Sequence, residues 1–367
     1  MFQKILSQLK SAGRYRSLSL PNGIDLTSND YLGMAAHEGL RRLAIDALSD
    51  GLDVGAAGSR LLRGHTKAHQ DLEDFAATHF AAGACLYFSS GFQANYAVLT
   101  TLPRRGDVVV YDSLVHASMR DGLKACDAKA FKFAHNDADA LEDVLKRYRE
   151  KAKNLWIAVE SVYSMDGDVA PLDDFYALAE KYNAYLIIDE AHGTGVFGDG
   201  GRGVSWDLIS RYGYDRIMGL HTCGKAIGVA GGLVCASDDV ISYMINAARP
   251  FIYSTAPMPL QAILVQRSLE MLAGEEGDVR RKKLMSLCEI SHEIYGGEGT
   301  QIVPIILGSD ERAVFVSQAL QKEGFDVRAI RPPTVPEGTA RLRLSLSSAL
   351  SGQNLRDFAS CYKSINK

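Results

Sequence analysis

Six short stretches between residues 84 and 237 are apolar almost throughout: ACLYFSS (84–90), DVVVYD (107–112), NLWIAVES (154–161), AYLIID (184–189), RIMGL (216–220) and GGLVCAS (231–237). A strand with one face in water alternates apolar and polar residues. Runs without alternation need cover on both faces, and the helix-patterned stretches between them supply it as crossovers. From about residue 40 to 240 the pattern predicts an α/β fold built on a large, mainly parallel sheet.

The texture changes after the proline-rich segment RPFIYSTAPMP (249–259). A long helical stretch runs to residue 293. It is followed by QIVPIIL, a helix around 311–323, FDVRAI and RLRLSLS, the order of a smaller α+β unit. The expected division is an N-terminal helix/strand segment (1–33), a large α/β domain (34–260) and a C-terminal α+β domain (261–367). Phe2, Ile5, Leu6 and Leu9 fall at helical spacing and predict an amphipathic docking helix. The rival reading is a transit peptide, since Lys4, Lys10, Arg14 and Arg16 all precede the first acidic residue, Asp25.

Composition narrows the class. The 367 residues carry 40 Lys and Arg against 44 Asp and Glu, a net charge of −4 spread along the chain. Binding to nucleic acid or anionic membrane by bulk charge is therefore not expected. Hydrophobic residues at 47% and charged ones at 23% exclude disorder, collagen and coiled coil. No apolar run approaches the roughly 18 residues of a spanning helix. Cys85, Cys126, Cys223, Cys235, Cys288 and Cys361 are scattered with no C-x-x-C pair, so they read as reduced thiols of a cytoplasmic protein without a metal site.

Three motif look-alikes fail on chemistry. GTGVFG (193–198) fits G-x-G-x-x-G, but the glycine-rich DGGRGV after it does not open a helix. GLHTCGKA (219–226) resembles a phosphate loop with DEAH (189–192) as its partner. Ala226, however, stands where a hydroxyl must bind Mg²⁺, and the two motifs occur in reverse order. His65 and His69 have no intervening Glu to act as a metalloprotease base and read as hydrogen-bonded histidines at a helix start.

What remains is a set of polar residues just past the C-terminal ends of predicted strands, the edge where open parallel sheets bind ligands. Asp189 ends AYLIID, Lys225 lies between glycines after RIMGL, His116 follows DVVVYD, and Ser90-Gly91-Phe92 leads from a strand into a helix. A strand–turn–helix junction favours a phosphate, because open backbone N–H groups and the helix dipole point at it. A phosphate site, an acid, an aromatic ring and a lysine are what pyridoxal 5′-phosphate requires. Glu160, also at a strand end, reads as readily structural as catalytic.

Nine ordered strings carry a more specific likeness: TSNDYLG (27–33), GSRLLRGHTKAHQDLE (58–73), SSGFQAN (89–95), DSLVHAS (112–118), ESVYSMDGDVAPL (160–172), IIDEAHGTGVFG (187–198), HTCGKAIGVAGG (221–232), IYSTAPMP (252–259) and AIRPPTVPEGTARLRLSLS (329–347). Across nearly the whole chain the sequence resembles the α-oxoamine synthases. These are fold-type I pyridoxal phosphate enzymes of aspartate-aminotransferase-like architecture, which condense an amino acid with an acyl thioester and lose carbon dioxide. GSRLLRGHTKAH and AIRPPTVPEGTARLR are most similar to the biotin-pathway branch, which uses L-alanine and a pimeloyl thioester of coenzyme A or acyl carrier protein. The glycine, 5-aminolevulinate and serine-palmitoyl branches are the alternatives.

The resemblance implies Lys225 as the lysine that holds the cofactor aldehyde, His116 stacked on its ring, Asp189 at the pyridine nitrogen, and Ser164 and His192 at the phenolic oxygen. It implies Gly91 and Phe92 as backbone contacts and Thr222 on the phosphate, with Ser254 or Thr255 reaching it across a homodimer with a shared active site. On the substrate side it implies Arg331 as a carboxylate clamp with Thr334 and Asn29 nearby, His116 placed to help polarise the thioester carbonyl, and Arg14 or Arg16 toward the acyl group. Glu190 in place of a second Asp, Cys223 in the lysine loop and SLSSALS near the end depart from common family forms.

Overall fold

The computed structural model describes residues 1–366, which form two compact units. One comprises Leu32–Tyr163 and Val169–Val279; the other comprises Met1–Tyr31, Ser164–Asp168 and the chain from Arg280 onward.

The larger unit is built on a seven-stranded sheet. Its spatial order is Ala84–Phe88, Gly232–Ala236, Ile217–Thr222, Ala184–Asp189, Leu155–Glu160, Val108–Asp112, Lys129–Phe133. The last five are mutually parallel, and Gly232–Ala236 runs antiparallel to both its neighbours. All six expected runs form strands, and every residue of Leu155–Glu160 and Gly232–Ala236 is buried. Burial of consecutive residues means both faces of the sheet are covered. Leu86, Val98, Val109, Trp156, Ile187, Met218 and Val234 belong to one continuous apolar cluster against it. The seventh strand, KAFKF at 129–133, was not expected. It is an edge strand whose first four residues are exposed or half-buried, and the lysines on it remove the apolar signature.

The smaller unit holds a three-stranded antiparallel sheet of Ala329–Ile330, Ala340–Ser345 and Ile302–Gly308, packed against the helix Asp310–Lys322. FDVRAI, read as one strand, divides in two. Phe325–Asp326 pairs in parallel with Ile24–Asp25, whereas Ala329–Ile330 pairs with Ala340–Ser345.

These units differ from the expected three-part division for identifiable reasons. The opening segment belongs with the C-terminal residues because it shares a strand pair with them and because the Ser345 N–H donates to the Leu26 carbonyl. The proline-rich segment is not a boundary, since the helix that follows it, Pro259–Ala273, packs on Lys67–His79 of the larger unit. The long helical stretch breaks at Gly274 into Pro259–Ala273 and Glu275–Tyr295. The expected N-terminal helix forms over Phe2–Ser11, but none of its residues is buried.

Candidate active site

Glu160, Asp189 and Leu220 lie side by side at the C-terminal ends of adjacent parallel strands. The loops leaving this edge line a cavity of about 550 Å³ counting its mouth. Gly91, Phe92, His116, Asp189, His192, Thr222 and Lys225 all line it, so seven of the expected site residues converge from separate parts of the chain. Glu160 is there too, almost fully buried.

The Asp189 carboxylate is buried and held by neutral donors. Its Oδ2 accepts from Asn95 Nδ2 at 2.6 Å, and its Oδ1 accepts from the Ala191 amide at 2.9 Å. Asn95 Nδ2 also donates to Ser118 Oγ at 3.0 Å, and that hydroxyl is 2.7 Å from His116 Nδ1. His116 occupies the N-cap of the helix Ala117–Ala125, where its imidazole accepts from the Ser118 amide at 3.2 Å. Burial lowers the imidazole pKa; the Asp189 carboxylate opposes this and Lys225 reinforces it.

Lys225 Nζ is 2.7 Å from His192 Nε2. A lysine ammonium can only donate at that distance, which leaves Nε2 as the acceptor and puts the ring proton of a neutral His192 on Nδ1. Glu190, next to Asp189, turns the other way and is fully buried. It accepts from Ser161 Oγ at 2.6 Å, the Ser205 amide at 2.6 Å and the Val204 amide at 3.2 Å. Burial pushes its carboxyl pKa up, against these hydrogen bonds. A Cβ on Gly193 or Gly203 would fall 1.9 or 2.6 Å from this carboxyl group, so both positions require glycine.

The helix Gly91–Thr101 starts at the cavity. Ser90 caps it by accepting from the Gln93 amide, and the Ala94 amide bonds to the Ser90 carbonyl, so the cap leaves the Gly91 and Phe92 amides for a ligand. Thr222 presses on this turn, where a Cβ on Gly91 would lie 2.8 Å from its Oγ1.

Other expected residues lie elsewhere. Ser254 and Thr255 line a separate, smaller cavity of the larger unit, and Ser254 Oγ accepts from Gln93 Nε2. Within the smaller unit the Ser164 carbonyl accepts from Arg343 Nε, and Asn29 Oδ1 accepts from Arg343 Nη1 at 3.1 Å and Tyr31 Oη at 3.0 Å. Arg331 donates to the Gly13 carbonyl, and Thr334 Oγ1 accepts from Arg16 at 3.2 Å. Arg14 is ion-paired to Asp310 and Glu337. Asn95, Ser118, Glu190 and Arg343 were not singled out for a role in the sequence. The available signal was a polar residue inside an otherwise apolar helix face for Asn95, and an arginine inside a strand for Arg343.

The look-alikes resolve as expected. No helix follows the Lys225 loop as a phosphate loop would need, and GTGVFG leads into the short 3₁₀ turn Asp199–Gly201. His69 bonds through Nδ1 to Thr66 and through Nε2 to the Pro257 carbonyl, and His65 accepts from Arg60.

A lysine and a carboxylate at the C-terminal edge of a mainly parallel sheet, beside an open helix N-terminus, define a cofactor-dependent group-transfer site. The chain belongs to the class I and II aminotransferase family, which it matches over residues 21–360, and within it to the α-oxoamine synthases. It is 44% identical over 330 residues to the 8-amino-7-oxononanoate synthase of Chromobacterium violaceum, covering 89% of this chain and 84% of that one. The structure of an 8-amino-7-oxononanoate synthase from Francisella tularensis overlays with a TM-score of 0.79 at 27% identity, over 94% of this chain and 98% of that one. A serine palmitoyltransferase from S. paucimobilis, solved with bound PLP–myriocin aldimine, overlays with a TM-score of 0.89 at 26% identity, over 99% and 96%. Among the described residues no helix is long and apolar enough to cross a membrane.

Proposed function

We propose that the chain binds pyridoxal 5′-phosphate in the sheet-edge cavity and condenses L-alanine with a pimeloyl thioester of coenzyme A or acyl carrier protein, giving 8-amino-7-oxononanoate, carbon dioxide and the free thiol for biotin synthesis. The observation that carries this reading is the meeting of the Lys225 amine and the Asp189 carboxylate in one cavity. The 8-amino-7-oxononanoate synthase relatives support the choice of substrates.

The donor set fits the cofactor. A buried carboxylate bonded only by neutral amides calls for a cationic partner, which a protonated pyridine nitrogen supplies. The open amides of Gly91 and Phe92, with Thr222 beside them, suit a phosphate. When bound, pyridoxal phosphate supplies an electron sink that acidifies the amino acid's α C–H and later takes up the electron pair of the bond to carbon dioxide.

This chain's residues do the rest. Arg331, with Thr334 and Asn29, would grip the amino-acid carboxylate and so orient the α C–H bond for proton removal. Lys225 Nζ removes the α-proton and later returns one, and His192 Nε2 keeps that amine oriented. His116, which lines the cavity, would help hold the cofactor and would hydrogen-bond the thioester carbonyl oxygen. Ser164 and His192 stand at the ring oxygen, and Arg14 faces the acyl group. The working form is a cytoplasmic homodimer in which Ser254 of the partner subunit or Thr255 of the partner subunit reaches the phosphate.

Lys225→Ala is the direct test. The purified variant should lose the visible cofactor absorbance and its turnover, and retained activity overturns the proposal. One observation favours a second reading, a different amino acid or acyl chain: the close overlay of serine palmitoyltransferase structures. Turnover of alanine, glycine and serine with pimeloyl, acetyl, succinyl and palmitoyl thioesters separates the two, and alanine with pimeloyl should be fastest.

A further inference from the structure

Asn95 and Ser118 are buried polar residues that line the cavity and have no part in the proposed chemistry. Burying such groups is costly unless their hydrogen bonds are made, so where the bonds go is informative. The orientation of Asn95 is fixed by its neighbour, because only an amide N–H can face the Asp189 carboxylate at 2.6 Å. Its two protons are then both committed, one to Asp189 Oδ2 and one to Ser118 Oγ. Its Oδ1 is buried and has no hydrogen-bond partner. The side chain is therefore used at this position as a double donor.

Because Ser118 Oγ accepts from Asn95, its own proton is free for its other neighbour, His116 Nδ1 at 2.7 Å. The Ser118 backbone amide, which can only donate, points at the same nitrogen. With two donors aimed at it, Nδ1 carries no proton, and the proton of a neutral ring must be on Nε2, which makes no hydrogen bond among the described residues. The N-cap position adds to this, since a helix N-terminus disfavours a positively charged ring.

We propose that Asn95 and Ser118 are positioning residues that lock His116 as the neutral Nε2–H tautomer and tether it to the Asp189 carboxylate, so that the cavity presents a preformed hydrogen-bond donor to a thioester carbonyl oxygen. The inference deepens the function proposed above and rests on it for the identity of the ligand. The chain of bonds Asp189–Asn95–Ser118–His116 also makes the acid and the ring-covering imidazole one unit, so a shift at either is passed to the other.

The test is nitrogen NMR of holoenzyme labelled with ¹⁵N-histidine, in which the two ring nitrogens distinguish the Nε2–H, Nδ1–H and doubly protonated forms. Wild type should show His116 as Nε2–H. Ser118→Ala removes the shorter of the two donors and keeps only the backbone amide at 3.2 Å, so it should retain cofactor absorbance, populate one of the other two forms in part and lower kcat by roughly ten- to a hundredfold, with KM for alanine little changed. Asn95→Asp keeps the side-chain size but replaces the donor with an acceptor, and should shift the tautomer in the same direction. A wild-type ring in the Nδ1–H or doubly protonated form overturns the proposal even if neither variant folds, as does an unchanged tautomer in both variants. Every bond in the chain joins protein groups, so cofactor-free protein gives the same tautomer reading. Failure of the functional proposal would appear separately, as missing absorbance and turnover.

Discussion

The expected site residues divide unevenly between the two units. Of those assigned to the cofactor, Lys225, Asp189, His116, His192, Thr222, Gly91 and Phe92 come together around one cavity of the larger unit, whereas Ser254 and Thr255 line a separate one and Ser164 belongs to the smaller unit. Those assigned to the substrate, Arg14, Asn29, Arg331 and Thr334, belong to the smaller unit and are bonded to other groups of that unit. The difference reflects how each set is held. Of the residues around the cavity, Asp189 and Thr222 end buried strands and the others follow strand ends within four residues, so the register of the sheet fixes where they start. The residues assigned to the substrate lie in exposed or half-exposed segments, and their side chains pair with other groups of the smaller unit. The larger unit's set is therefore the more rigid of the two and the smaller unit's the more adaptable.

Substitutions can break this contrast, and the largest effect is expected on the rigid side. Asp189→Asn keeps the shape; its single amide oxygen can still accept from the Ala191 amide, and its NH2 can donate to Asn95 Oδ1 once that side chain turns over, so the fold should survive. Loss of the charge should lower kcat by roughly a hundredfold or more, within the range of a positioned proton-controlling group. Single-turnover kinetics with alanine, read together with cofactor absorbance, check this, and a near-normal rate would remove Asp189 from the pyridine nitrogen. On the adaptable side, Arg331→Ala should raise KM for alanine by roughly tenfold to a hundredfold, the worth of charge-assisted hydrogen bonds, and change kcat less. An unchanged KM would move the clamp to Arg343. That guanidinium is buried, and its hydrogen bonds run to the neutral Ser164 carbonyl, Asn29, Ser345 and Tyr31.

A smaller effect concerns stability. Burial lowers the pKa of His69 to about 4 and of His221 to about 3, from 6.5, and both belong to the larger unit. They stay neutral in the folded chain while the unfolded chain takes up protons below pH 6.5, so stability falls with pH through this window, down to about 4 for His69 and about 3 for His221. The unfolding free energy from urea titrations should therefore drop between pH 7 and 5, by on the order of 2 kcal/mol per histidine. A flat profile would mean that these rings are already hydrated or charged.

The uneven legibility of the chain follows the same physics. Buried parallel strands announce themselves as unbroken apolar runs, and Asp189 and Lys225 could be placed at the ligand edge because those runs end just before them. KAFKF escaped because an edge strand keeps its lysines in water, and FDVRAI misled because adjacent residues pair with different partners. Asn95, Ser118 and Glu190 left little local trace. Apart from the bond of Ser118 to nearby His116, the partners of their side chains lie 14 to 94 positions away, contacts that no local pattern encodes.

The Glu190 carboxyl group has a practical bearing on anyone reshaping this protein for new substrates. By gripping Ser161, Val204 and Ser205 while leaving no space for a side chain on Gly193 or Gly203, it makes three remote stretches behave as one part. Libraries that randomise any one of them alone should return mostly inactive clones, and productive diversity is better sought by varying all three together or in the substrate-facing loops.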